Sequence, residues 1–317
     1  MRETGLESNR ERIENMSEKH IDWSCKHDIL IKNPDGSYSH MDELYYEAEE
    51  LKPGVWKILS SGDYHYCVAG EKFAVAIDTG YGAGNLREYL EGLTGLPVPY
   101  VINTHSHFDH TANNGYFDKA YMHVNAIPEA TVPFQSFEGI EFITDYERVG
   151  IDEGFLMDLG NKTLEIFYIP DHTMDGIAIL DRADKTLFIG DEFMIFGKVL
   201  TKVTVETFYG YTQKLLAHRS EYDIVCGGAG RYEGDFIDRF DAVAKAILDG
   251  DKGMPANGKP PGRPGQMPPG PNGELVYDRK MPHFGDGGAG KLGDEVGESW
   301  IKEMDGIRIT YDVNRIR

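Results

Sequence analysis

Residues 101–114 read VINTHSHFDHTANN, and this stretch decides how the rest of the chain is read. A short β-branched run ends at Asn103-Thr104, and His105, His107, Asp109 and His110 follow within six residues. Side chains two apart in an extended segment point the same way, so His105 and His107 face one metal position together. Asp109 and His110 come as the chain turns, which aims them at a neighbouring position. Imidazole and carboxylate donors together suit zinc, and also manganese or iron. Three of the protein's eleven histidines lie inside these six positions, a concentration that a polar strand end does not explain by chance.

Two more pieces extend the set. In PDHTMDGIAIL, residues 170–180, His172 sits in a loop between strands and completes a three-histidine group with His105 and His107. In LFIGDEF, residues 187–193, an apolar strand ends in Gly190-Asp191. A carboxylate at the end of a buried strand needs a partner, and a metal ion is the natural one.

Around these pieces the chain alternates strand and helix signals. GVWKIL, YHYCVAG and FAVAID before the motif, PYVINT leading into it, and TLEIFYI, GIAILD and TLFIGD after it are rich in β-branched and aromatic residues. Asn85 to Leu93 reads as a helix capped by Asn85, with Leu86, Tyr89, Leu90 and Leu93 on one face. Further helices are expected at Val205 to His218 and Asp235 to Leu248. This order predicts an α/β (α+β) chain, two mixed halves packed sheet on sheet with helices outside.

The expected organisation has three parts. Residues 1–44 form an N-terminal arm carrying a β-hairpin about Asn33-Pro34-Asp35-Gly36, a surface appendage or else a contact in a homodimer. Residues 45–252 form the compact domain. Residues 253–317 begin with GMPANGKPPGRPGQMPPGPNG, whose prolines and glycines specify a linker. They end in Gly306-IRITYDV, where Ile307, Ile309, Tyr311 and Val313 alternate as a closing strand at a sheet edge.

Composition narrows the function. The formal charge is −21, so phosphate backbones and anionic lipid surfaces are repelled, and neither nucleic acid nor membrane is an expected partner. A bound divalent ion still makes one cleft locally positive, which leaves a small-molecule substrate. Cys25, Cys67 and Cys226 are sparse and unpaired in pattern, as in a cytoplasmic protein with reduced thiols. The first twenty residues have no apolar core that could act as a secretory signal.

The three elements HSHFDH, PDHTMDG and GDE resemble the metallo-β-lactamase superfamily, whose pattern is HxHxDH, a distant PxHTxG, a GD and a last histidine in a GHG turn. The resemblance covers roughly residues 45–250. It implies an αββα four-layer sandwich with its site at one edge between the sheets. It implies that His105, His107 and His172 hold a first ion, that Asp109 and His110 hold a second, and that Asp191 bridges. Asp78, at the end of AIDTG, matches a position that is mainly structural. The implied activity is hydrolysis of an ester, thioester, lactone or amide by metal-activated water, with Asp109 as the catalytic residue and one or two zinc ions, or manganese or iron, as cofactor. The intact His107 separates the chain from the flavodiiron oxygen reductases, which carry Glu there. Two other readings are a mononuclear iron dioxygenase of the persulfide type, using His105, His172 and Asp191, and a non-catalytic binding relative.

The chain departs from the pattern at its last element. Asp223-Ile224-Val225 is followed by Cys226-Gly227-Gly228-Ala229-Gly230, so Ala229 stands where the histidine belongs. The second ion is then weak or absent, or another residue substitutes, or the alanine is an introduced change. Cys226 and His283 are the candidate substitutes. Phe193, Phe196, Tyr209 and Tyr211 either wall a substrate pocket or pack the core. His65 and His123 are expected at strand edges near the cleft, and His218 at a helix C-terminus.

Overall fold

The computed structural model describes residues 29–33, 35–40, 46–60, 63–82, 84–133, 142–195, 197–256, 275–278 and 297–317. Most of the expected arm and linker, with Cys25, Phe196 and His283, lies outside these residues.

Strands are numbered in chain order. Seven form one sheet in sequential order: β3 (Glu47–Lys52), β4 (Val55–Leu59), β5 (Tyr64–Ala69), β6 (Ala74–Ile77), β7 (Tyr100–Ile102), β8 (Lys119–His123) and β9 (Glu147–Ile151). The first four are antiparallel, and from β6 onward the pairing is parallel. A six-stranded sheet holds β10 (Leu156–Asp158), β11 (Thr163–Tyr168), β12 (Ile177–Asp181), β13 (Thr186–Gly190), β15 (Ile224–Gly227) and β16 (Gly230–Glu233). Only β13 and β15 run parallel there, joined through the helix α3 (Val205–Leu216).

Strands buried on both faces read as continuous apolar runs, and β6 and β12 show why. Val75 and Ile77 of β6 meet Ile177 and Ile179 of β12 between the sheets. Ala74 and Ala76 turn outward beneath Leu86 and Leu90 of α1 (Leu86–Thr94). Ala178 and Leu180 turn outward beneath α3 and α4 (Phe236–Leu248), against Phe208, Phe236 and Phe240. Three apolar layers thus separate four structural layers in the order α, β, β, α. Each fully buried Ile or Phe contributes about 1.5–3 kcal/mol to holding them. Asn85 caps α1 as expected, its side chain accepting from the Glu88 N–H at 3.2 Å.

The C-terminal strand corrects an expectation. β20 (Ile307–Asp312) is not added to the edge of either large sheet. It lies inside a separate four-stranded sheet with β14 (Lys198–Val199), β17 (Met254–Pro255) and β19 (Ser299–Met304). Its alternation selects the face that packs on α4, where Ile307, Ile309 and Tyr311 join the outer core. β1 (Ile29–Lys32) pairs antiparallel with β2 (Tyr38–His40) and in parallel with β18 (Leu275–Asp278). Among the described residues, no helix is long and apolar enough to cross a membrane.

Cys67 and Cys226 are fully buried and free, and burial pushes both thiols up to about 12. Reaction with thiol reagents requires the thiolate and access to it. Both are therefore expected to stay unmodified by iodoacetamide in the native protein at mildly alkaline pH and to react in guanidinium. Peptide mass spectrometry reads the difference, and rapid native labelling of Cys226 would contradict its position between the sheets.

Candidate metal centre

The site forms where β6, β7, β13 and β15 end together at one rim of the sandwich. The sheets are stitched to each other there, since the Ile177 N–H donates to Thr104 O at 2.9 Å and the Tyr64 N–H to Gly228 O at 2.9 Å. Gly190 is required at its turn: its φ is +49°, and a Cβ would stand 2.3 Å from Thr104 Oγ1.

Asp78 organises the first motif. Its Oδ1 accepts from the Thr104 N–H at 2.7 Å, and its Oδ2 accepts from Thr104 Oγ1 at 2.7 Å and from His110 Nδ1 at 2.9 Å. The hydroxyl proton of Thr104 is committed to this carboxylate, so its oxygen accepts from His105 Nδ1, 3.1 Å away. Both rings consequently turn Nε2 inward. This is how a supporting carboxylate fixes the tautomer of a metal-binding imidazole.

The expected donors converge. His105, His107 and His172 form one group whose ligand atoms lie within 4.8 Å of one another, and His105, His110 and Asp191 form a second. His172 Nε2 is 3.0 Å from His107 Nδ1 and 3.9 Å from Asp191 Oδ2. His110 Nε2 is 3.6 Å from Asp191 Oδ2 and 3.8 Å from Asp109 Oδ2. His107 and His172 reach solvent while His105, Asp109, His110 and Asp191 are buried, so the cleft opens on the His107 side.

The electrostatics call for a cation. Burial and then the neighbouring imidazoles push His105 and His172 well below the usual histidine range, leaving neutral nitrogen donors. Burial would lower His110 too, but Asp78, Asp109 and Asp191 outweigh it and hold this ring well above its ordinary value. Burial likewise works to raise Asp191, yet His110 and His172 pull it down to about 2. Asp109 is raised, chiefly by burial. His105 Nε2, His110 Nε2 and Asp109 Oδ1 are buried without a hydrogen-bond partner. Such orphaned donors cost stability unless something binds them, and a divalent cation fits this mixture of imidazoles and carboxylates.

Sequence reasoning missed a supporting ion cluster behind His172. Glu192 accepts from the His172 N–H at 2.9 Å and the Asp171 N–H at 3.2 Å. Buried Lys198 reaches Asp171 at 2.8 Å and Glu192 at 3.1 Å. It also missed Asp63, 2% exposed, whose carboxyl is raised well above its usual range by burial and then by Asp109. No periodic signal marks either, because a lysine or a lone aspartate near a turn reads as solvated surface.

Other candidates fall elsewhere. Cys226 is in the core between the sheets, and Phe193 packs against Phe208 and Phe240, with Tyr209 and Tyr211 against the same core. His65 is buried on the interior strand β5, lowered by burial to about 3. His123 is buried too, stacked on Tyr168 with centroids 4.1 Å apart. His218 lies past the end of α3, with Nδ1 3.2 Å from Glu221. Ala229 stands in the β15–β16 turn and offers no donor.

The family model for the metallo-beta-lactamase superfamily matches residues 65–242, more than half of the chain. The chain belongs to the metallo-beta-lactamase superfamily. The human acyl-coenzyme A thioesterase MBLAC2 is 28% identical over 159 residues, covering 40% of this chain and 56% of that protein. The chain thus spans little more than half the length of that relative. A probable metallo-hydrolase, MJ0888, from Methanocaldococcus jannaschii is 32% identical over 145 residues, covering 42% of this chain and 68% of that one. A solved metallo-beta-lactamase from Pontibacter korlensis aligns with a TM-score of 0.49 at 16% identity, over 63% of this chain and 99% of its own. Within the superfamily's pattern, the loops carrying HSHFDH, PDHTMDG and GDE meet at one rim here.

Removing Lys198 tests the cluster that carries the His172 loop. Lys198→Met leaves two buried carboxylates facing each other, and breaking such a buried pair costs about 3–5 kcal/mol. Urea unfolding is expected to show a loss of that size. A loss below about 1 kcal/mol would show that water reaches these groups.

Proposed function

We propose that this protein is a metal-dependent hydrolase of acyl thioesters or related esters, acting in the cytoplasm. The convergence of His105, His107, His172, His110, Asp109 and Asp191 carries the reading, with His107 Nδ1 and His172 Nε2 3.0 Å apart. In this reading His105, His107 and His172 would hold one divalent ion, zinc or else manganese or iron. His110, Asp109 and Asp191 would hold a second. A bound ion would supply Lewis acidity toward water and the acyl oxygen.

The chain's own residues do the rest. Asp109 is the residue placed to accept the proton of the attacking water, because Oδ1 is buried and unpartnered. Asp78 keeps His110 oriented while charge shifts at Asp109. The half-exposed Met174, two residues beyond His172, offers apolar contact to an acyl chain at the open side of the cleft. The thioester class is favoured by similarity to the human thioesterase. The cytoplasmic assignment rests on the unpaired Cys67 and Cys226.

The test combines elemental analysis of protein purified without chelator with initial rates on acyl-coenzyme A, simple ester and lactone substrates. Bound transition metal and thioester hydrolysis are expected, both lost in the double variant His105→Ala, His107→Ala. Stoichiometric metal surviving in that variant overturns the centre. Oxygen consumption with a persulfide by iron-loaded protein, in place of hydrolysis, overturns the hydrolase reading.

A further inference from the structure

The absence of a donor at Ala229 leaves the second metal position short of a ligand, and the fold supplies another group at the same place. Asp63 directly precedes β5, and the next residue, Tyr64, donates its N–H to Gly228 O at 2.9 Å. The Tyr66 hydroxyl lies 2.7 Å from Gly227 O and 3.1 Å from Gly230 O. The start of β5 is thereby fastened to both sides of the turn that holds Ala229. Asp63 is 2% exposed, and its Oδ2 has no hydrogen-bond partner. That turn stands against His110 and Asp191, so the residue before Tyr64 enters the rim beside the second position. The turn itself has no room to donate from Gly228, where a Cβ would stand 2.2 Å from Asp191 Oδ1 and 3.2 Å from His110 Cε1.

We infer that Asp63 takes the place of the missing histidine as a carboxylate ligand of the second metal position. The inference rests on the metal-centre reading above and adds a residue and a preference to it. A carboxylate buried among two others is strongly unfavourable unless a cation lies between them. With Asp63, the second position has three carboxylates and one imidazole, His110. That donor set is harder than the three imidazoles of the first position. It shifts preference at the second position toward manganese or ferrous iron relative to zinc. The Ala229 turn then does not signal a site with one ion.

The test uses the full chain, stripped with chelator and titrated with Mn2+ and with Zn2+. Stoichiometry is read by elemental analysis, and Mn2+ pairing by electron paramagnetic resonance. The wild type is expected to bind two Mn2+ with the spin coupling of a pair. Asp63→Asn, which keeps the size and removes the charge, is expected to retain one ion and to bind the second at least tenfold more weakly. Asp63→Ala with Ala229→His is expected to regain the second ion, which a purely structural role for Asp63 would not allow. Thermal melting checks that each variant is folded, and if none folds the wild-type titration decides. Two ions bound by Asp63→Asn with wild-type affinity overturn the inference, as does a wild type that binds one ion only. A wild type that binds no ion overturns the metal-centre reading itself.

Discussion

The carboxylate of Asp78 accepts three hydrogen bonds of 2.7–2.9 Å, and the geometry of the rim depends on them. It sits at φ +60°, a left-handed conformation that Asp tolerates better than most residues. From there it holds the backbone and hydroxyl of Thr104 on one side and the ring of His110 on the other. Through the hydroxyl it also sets the tautomer of His105. One buried carboxylate therefore aligns two imidazoles, and their inward nitrogens could not be aimed by strand geometry alone. Hydrogen bonds to a charged group are worth about 1.5–3 kcal/mol each, enough to hold a left-handed residue in place.

A second layer of support comes from the other sheet. His172 is on a loop, where backbone position is least constrained by pairing. Its amide is held by Glu192, and Lys198 pairs with both Glu192 and Asp171. Lys198 belongs to β14, which pairs with the C-terminal strand β20. Residues 307–312 thus reach the centre through a strand pair and a buried ion cluster. This explains why the C-terminal segment packs on the outer helices as an integral layer and not as an edge addition.

The sandwich and most of the centre were legible in the amino-acid order. Strands such as AVAI and IAILD are covered on both faces, which leaves unbroken apolar runs. The spacing of His105, His107, Asp109 and His110 leaves an equally plain mark. β3 was not legible, because Glu47, Glu49 and Glu50 lie on a largely solvated edge strand and break every apolar period. The neighbours of β20 were not legible either, since alternation reveals a face but not the strand across from it. Asp63 and Lys198 were hidden for a different reason. Their burial comes from contacts made by residues far away in the chain, and nothing local distinguishes them from solvated charge.

The small sheet of β1, β2 and β18 ties residues that precede the sandwich to a segment that follows it, with Ile29 beside Leu275. Such a pairing closes a very long loop, and its entropic cost is met only after the intervening chain has condensed. Synthesis delivers the β1–β2 hairpin before the sandwich strands and β18 after them. During synthesis the sandwich between them gains its full set of strands through β16 while one side of β1 still bonds to water. The hairpin therefore waits while the whole sandwich is made, and its final pairing records that all the strands from β3 to β16 have been delivered.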